Sequence, residues 1–232
     1  MKAFLLCFAI FFTALADTIT APANLTSLNI GVLIFNKTEN LDSIGPTSYL
    51  ELVKGVANVS VTFEIVGLKV GRIQASNLQP LYVTTSFKKA KTKWDIFLIP
   101  GGPGTDDVIA DTALMKYVSK AVKESTFVIS VCTGADVLAS TGALDGRNAT
   151  TNKIKFKRIA AKHPAVHWVR QARWVIDGKY WTSSGVSAGQ DLGHAFVSTI
   201  FGDKVGKRIS EILEHKAISD PSNDPFEYLI DA

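Results

Sequence analysis

The first strongly apolar run, Leu28 to Phe35, is interrupted only by Asn29 and Gly31. A run this short and this apolar reads as a strand buried on both faces, as in parallel sheets. A loop over residues 36–40 and the stretch Leu41-Asp42-Ser43-Ile44-Gly45-Pro46 lead into a helix carrying Tyr49, Leu50, Leu52 and Val53. Val59 to Val66 alternates apolar and polar positions and predicts a second strand. Residues 67–93 fit only a small strand pair or an irregular insertion. Asp95 to Ile99 predicts a third buried strand, ended by Pro100-Gly101-Gly102-Pro103-Gly104. One helix over residues 106–123 follows, with Leu114, Tyr117, Val118, Ala121 and Val122 on its apolar side. Phe127 to Val131 is the fourth apolar run, and it stops at Cys132.

Beyond that point, residues 152–162 read as a basic amphipathic helix, and residues 166–169 and 173–176 as short strands. Asp177-Gly178 turns the chain towards Tyr180-Trp181-Thr182. The small-residue loop from Ser183 to Gly189 opens a helix over residues 190–201, a last helix covers 204–215, and a polar tail closes the chain. Strands alternating with helices predict a single-domain, doubly wound, mostly parallel α/β fold covered on both faces. Trp168, Trp174 and Trp181 fit strand-core packing better than a pocket lining.

The N-terminus changes the picture of where the protein acts. Lys2, the apolar stretch to Phe12 and Ala14-Leu15-Ala16 before Asp17 have the layout of a secretory signal peptide cut after Ala16. The apolar stretch is too short for a permanent membrane span, so no membrane association is expected after cleavage. The expected organisation is residues 1–16 as signal, 17–27 as a polar leader, 28–216 as the domain and 217–232 as the C-terminal tail. Four Asn-x-Ser/Thr sequons, at Asn24, Asn36, Asn58 and Asn148, suit a secreted glycoprotein. Asn24 and Asn58 fall in loops, whereas Asn36 and Asn148 lie close to packed structure.

Of the two cysteines, Cys7 leaves with the signal, and Cys132 then has no intramolecular partner. A lone thiol in an oxidising compartment favours a functional role over simple burial. Loss of Lys2 lowers the formal +4 of the chain by one. With no basic arm, and with Lys88, Lys89, Lys91 and Lys93 reading as a solvated loop, nucleic acid is not an expected partner.

In a doubly wound sheet the C-terminal ends of the strands share one edge, where ligands bind. Asp42, Gly101-Gly102 and Cys132 all fall there. A strand that turns sharply into a helix at Cys132 forms a nucleophile elbow; the helix N-terminus beyond it favours thiolate over thiol. The other reading is a buried core cysteine. The Gly101 and Gly102 N–H groups, with that of Thr133, suit an oxyanion hole; a plain strand-ending turn is the alternative. Asp42 reads as general acid or base, or as a helix N-cap. Thr133 either orients substrate or begins the helix. None of His163, His167, His194 and His215 adjoins the elbow, and His194 reads as a packed helical residue. No metal-ligand spacing, P-loop or dinucleotide fingerprint occurs.

Four segments in this order resemble the DJ-1/PfpI superfamily over nearly the whole chain after the signal. They are Leu41-Asp42-x-x-Gly45-Pro46, Ile99-Pro100-Gly101-Gly102-Pro103-Gly104, Val131-Cys132-Thr133-Gly134-Ala135 and Thr182-Ser183-Ser184-Gly185-Val186-Ser187-Ala188-Gly189. They are most similar to the isocyanide hydratase branch and its fungal relatives. The resemblance implies a flavodoxin-like fold, a homodimer, and a small-molecule substrate handled without metal or organic cofactor. It implies Cys132 as nucleophile, Asp42 as acid/base, and Thr133, Gly101 and Gly102 as positioning groups. Thr133 stands where other members of the superfamily carry histidine, which argues against a Cys-His pair. A non-catalytic thiol sensor or small-molecule-binding protein, or a glyoxalase-type enzyme, are the alternative functions.

Overall fold

The computed structural model describes residues 25–232. The expected signal and most of the expected leader, with Cys7 and the Asn24 sequon, lie outside the described residues. The chain runs β1 (Ser27–Leu33), α1 (Asn40–Val56), β2 (Ser60–Gly67), a hairpin of β3 (Gly71–Gln74) and β4 (Pro80–Val83), and β5 (Thr85–Ser86). It continues through β6 (Ile96–Ile99), α2 (Thr105–Ala110), α3 (Thr112–Glu124), β7 (Phe127–Val131) and α4 (Gly134–Ala139). Then come β8 (Asn148–Ala149), α5 (Phe156–Lys162), β9 (His167–Trp168), β10 (Trp174–Asp177) and β11 (Tyr180–Ser183). The last helices are α6 (Ala188–Phe201) and α7 (Asp203–Leu213), and a 3₁₀ turn covers Glu227–Ile230.

Seven strands form one sheet in the order β10-β11-β7-β6-β1-β2-β5. All pairings are parallel except the antiparallel β10–β11 edge. This is the doubly wound, mostly parallel α/β arrangement the alternating pattern predicted, and the flavodoxin-like fold the resemblance implied. Because strand side chains alternate in direction, β6 sends Ile96 and Leu98 to one core and Phe97 and Ile99 to the other. The first core packs α1, α6 and α7 through Tyr49, Leu50, Phe196 and Ile209. The second packs α2, α3 and α4 through Val108, Leu114, Val118 and Val137. Trp174 and Trp181 are core residues, with Trp181 edge-on to Phe196 at 4.9 Å.

Three elements depart from the pattern reading. The single helix over 106–123 is two, because the Asp111 side chain accepts from the N–H groups of Ala113 and Leu114 and starts α3 anew. The basic helix begins at Phe156 rather than at 152, because the Asn152 side chain accepts the Lys155 N–H in a preceding turn. The polar tail packs back onto the domain. Pro221 O accepts from Arg173 N at 2.6 Å, and the buried Asp224 lies 3.4 Å from the equally buried Lys153 ammonium. Among the described sequons, Asn36, Asn58 and Asn148 are exposed, but the hydroxyl-bearing Thr38 and Thr150 are buried, so the Asn36 and Asn148 sequons do lie against packed structure. Asn148 is also engaged with Asp177, and among the described sequons only that of Asn58 has both polar residues at the surface.

Removing one member of a buried ion pair leaves the other charge uncompensated, which costs about 3–5 kcal/mol. Asp224→Ala should lower the stability of the protein by that order, read as a reduced urea midpoint at pH 7.

Candidate active site

β1, β6 and β7 are adjacent and parallel, so the residues following them meet at one edge. After β7 the chain bends at Cys132, whose φ of +57° is in the left-handed region. For a residue with a side chain that costs about 1–2 kcal/mol. The surroundings hold it: the Cys132 N–H donates to Ser183 O and Ser184 O, and the Thr151 hydroxyl donates to Cys132 O at 2.9 Å. The strained turn aims the sulfur into a cavity of about 470 Å³ lined by Glu39, Gly102, Thr133, Asn152, Ile154 and Val186 among others.

Asp42 lies in the first turn of α1, two residues past the chain entry at Asn40, and Glu39 occupies the N-cap position. It is therefore not the N-cap. Pro46 sits four residues on and has no N–H for the Asp42 carbonyl. Pro46 packs on Gly189 and Gly193 of α6, where an added Cβ would lie 3.4 Å from its Cδ and 3.0 Å from its Cα. A Cβ on the same Gly189 would lie 3.0 Å from Val131 Cγ1, so small residues on α6 bring the Asp42 turn up to the elbow.

The Asp42 carboxyl has no exposure, and Oδ2 accepts the Gly101 N–H at 2.9 Å. Oδ1 has no other formed hydrogen bond, and the Cys132 thiol is the group beside the carboxyl able to donate one. Burial raises Asp42 to about 7 and the negative Glu39 adds to this, while the Gly101 N–H and the thiol oppose it. Burial likewise pushes the Cys132 thiol up, and the Asp42 charge adds to that. The Thr133 N–H and the Asn152 side chain act the other way without overcoming it. This direction is opposite to the expected shift towards thiolate: burial is the largest influence on the sulfur, and the helix beyond it is short, Gly134–Ala139.

The expected oxyanion hole is also revised. Gly101 N–H is committed to Asp42, and Gly102 N–H donates to Thr133 Oγ1 at 2.9 Å. These glycines position the acid and the threonine instead of facing substrate. A Cβ at Gly101 would lie 2.5 Å from Thr133 Oγ1, and Gly102 has φ +130° with the Lys37 carbonyl pressed against it. Thr133 begins α4, as one of its sequence readings had it, and its hydroxyl accepts the Gly102 N–H of the glycine loop.

Asp42, Gly101, Gly102, Cys132 and Thr133 thus converge as expected, and Asn152 joins them unforeseen. Its position inside an apparently helical basic stretch gave no signal of contact with the sulfur. His194 is half-buried and bonded to Ser210, away from the elbow, and its pKa is lowered chiefly by burial. Among the described residues no group of three His, Cys, Asp or Glu is arranged to hold a metal ion.

Residues 29–199 match the DJ-1/PfpI family. The chain belongs to that family. Isonitrile hydratase of Pseudomonas putida is 27% identical over 190 residues, spanning 82% of this chain and 79% of the hydratase. A deglycase of Pyrococcus horikoshii is 32% identical over 120 residues, covering 51% of this chain and 69% of its own. The crystal structure of a ThiJ/PfpI family protein from Pseudomonas syringae matches this DJ-1/PfpI chain with a TM-score of 0.75 at 21% identity, over 86% of this chain and 79% of that one.

A carboxyl whose folded pKa lies above its unfolded value weakens the fold as pH rises, because the unfolded chain releases the proton first. For Asp42 that loss begins near the ordinary carboxyl value of 3.8 and is complete above about 7. It amounts to about 4 kcal/mol at pH 8. Asp42→Asn keeps an acceptor for Gly101 and carries no charge. It should therefore raise the melting temperature at pH 8 and leave it nearly unchanged at pH 4.

Proposed function

We propose that this DJ-1/PfpI protein is a cysteine-dependent hydratase that converts small isonitriles to N-formamides. The observation carrying the reading is the Asp42–Cys132 pair: a buried carboxyl poised at about 7 against a thiol held in its protonated form, with no histidine at the elbow. Such a pair shares one proton near neutral pH and can move it within the site. The 27% identity to isonitrile hydratase over most of both chains supports this choice of electrophile. The cavity volume of about 470 Å³ is ample for a small organic molecule.

In this reading the ionised Asp42 takes the thiol proton as sulfur bonds to the terminal carbon of R–N≡C, and delivers it to that carbon. The product is the thioimidate R–N=CH–S–Cys132. Water then adds to the carbon, one of its protons reaching nitrogen by way of Asp42. The tetrahedral adduct R–NH–CH(OH)–S–Cys132 loses its hydroxyl proton as the C–S bond breaks. R–NH–CHO leaves, and the thiol regains its proton. Atoms balance without a redox step, and two easier steps replace one difficult addition.

The burial that raises the thiol weighs against a peroxide sensor, whose cysteine needs thiolate character and access. Secretion after cleavage at Ala16 and homodimer formation belong to the same proposal. They are checked by N-terminal sequencing of the protein recovered from the medium and by light scattering.

With an aryl isonitrile, formamide should appear for the wild type and fall at least a thousandfold in Cys132→Ala and in Asp42→Ala. kcat/KM should rise with pH through a midpoint near 7, as the pair loses its second proton, and show no descending limb through the ordinary thiol range. Turnover that survives Cys132→Ala, or turnover of methylglyoxal in place of isonitriles, defeats the hydratase reading.

A further inference from the structure

The glycine loop has no N–H left to give the reacting sulfur, because Gly101 serves Asp42 and Gly102 serves Thr133. Asn152 and Thr133 line the same cavity as Cys132, and both oppose the rise of the thiol pKa. Asn152 Oδ1 is taken by the Lys155 N–H at 3.1 Å, so its NH2 group is the end left to donate. Nδ2 lies 3.6 Å from the Cβ position of Gly185, in the loop that accepts the Cys132 N–H.

The neighbours of Asn152 are fixed from several sides. Thr150 N donates to Thr182 Oγ1 at 2.9 Å, and the Thr151 hydroxyl donates to Cys132 O at 2.9 Å. The buried Lys153 ammonium donates to Thr150 Oγ1 and to Ala172 O, both at 2.9 Å, and is neutralised by Asp224 at 3.4 Å. Asp224 is anchored in turn: its Oδ1 accepts from Phe226 N, and its carbonyl accepts from Gln171 Nε2.

We propose that the Asn152 amide is a catalytic donor to the Cys132 sulfur, and that the C-terminal segment acts as its positioning element through the buried Lys153–Asp224 pair. Sulfur carries negative charge twice, when its proton passes to Asp42 and when the C–S bond breaks. A fixed N–H donor in a dry site lowers the cost of both moments. The turnover half of the proposal rests on the hydratase reading, and the thiol half does not.

Iodoacetamide alkylation of the intact protein at pH 9, alongside formamide production from an aryl isonitrile, tests it. The charged groups facing the sulfur are Asp42 and Glu39 from the start of α1, Asp106 from α2, and Lys155 and Arg158 from the far wall. All five are untouched by the variants. Asn152→Asp keeps an acceptor for Lys155 but replaces the donor with charge, and Asn152→Ala removes both. Each should slow alkylation about tenfold, equivalent to one pH unit, and lower kcat tenfold or more with little change in KM. Asp224→Asn, confirmed as folded by circular dichroism, should shift both readouts in the same direction by less. Wild-type alkylation and kcat in Asn152→Asp would refute the donor, and wild-type values in folded Asp224→Asn would refute the role of the C-terminal segment. If the wild type turns over no isonitrile, the hydratase reading fails, while the alkylation rates still decide the role of Asn152.

Discussion

One backbone hydrogen bond, from Gly101 N–H to Asp42 Oδ2, underlies the arrangement of this site. It holds a carboxyl with no water contact against the thiol of a strained elbow. Everything near it is shaped by that placement. Gly101 has no room for a side chain, Gly102 turns so that its own N–H holds Thr133, and Pro46 lodges on the glycines of α6 to bring the first turn of α1 close. The buried carboxyl is energetically costly, and the two cores of the sheet supply the stability that tolerates it.

That burial also decides which proton chemistry is open to the pair. A solvated Asp42 would be fully ionised and a poor proton donor at neutral pH, and a thiolate beside it would suffer like-charge repulsion. Burial raises both groups together, so each is shifted towards its protonated form. Thr133, in place of a base after the nucleophile, leaves the carboxyl as the titrating partner. At this edge of the family fold the titratable partner beside Cys132 is thus a carboxyl and not a histidine.

A part of the chain distant in sequence packs behind the cavity residue Asn152. Asp224 enters from the C-terminal segment to neutralise Lys153, the residue next to it. A polar stretch such as residues 217–232 gives no sign of this, since only the buried partner across the fold makes its one inward aspartate necessary. The same holds for Asn152. Its residue type suits a turn, and no spacing relates it to Cys132.

Local pattern settled the alternation of strands and helices, the two buried faces of β6 and β7, and the sheet edge where Asp42, the glycine pair and Cys132 meet. These follow from side-chain periodicity and the topology of parallel strands, which a linear sequence carries. The apolar run that stops at Cys132 before a helix marked the elbow, and motif resemblance implied its role. Where pattern failed, a single side chain had redirected the backbone: Asp111 split one helix into two, and Asn152 delayed the start of another. The protonation of the thiol, the commitment of both glycine N–H groups and the docking of the tail were decided only in three dimensions. Each depends on desolvation or on a hydrogen-bond partner supplied by a distant segment, and neither quantity exists until the chain has closed around it.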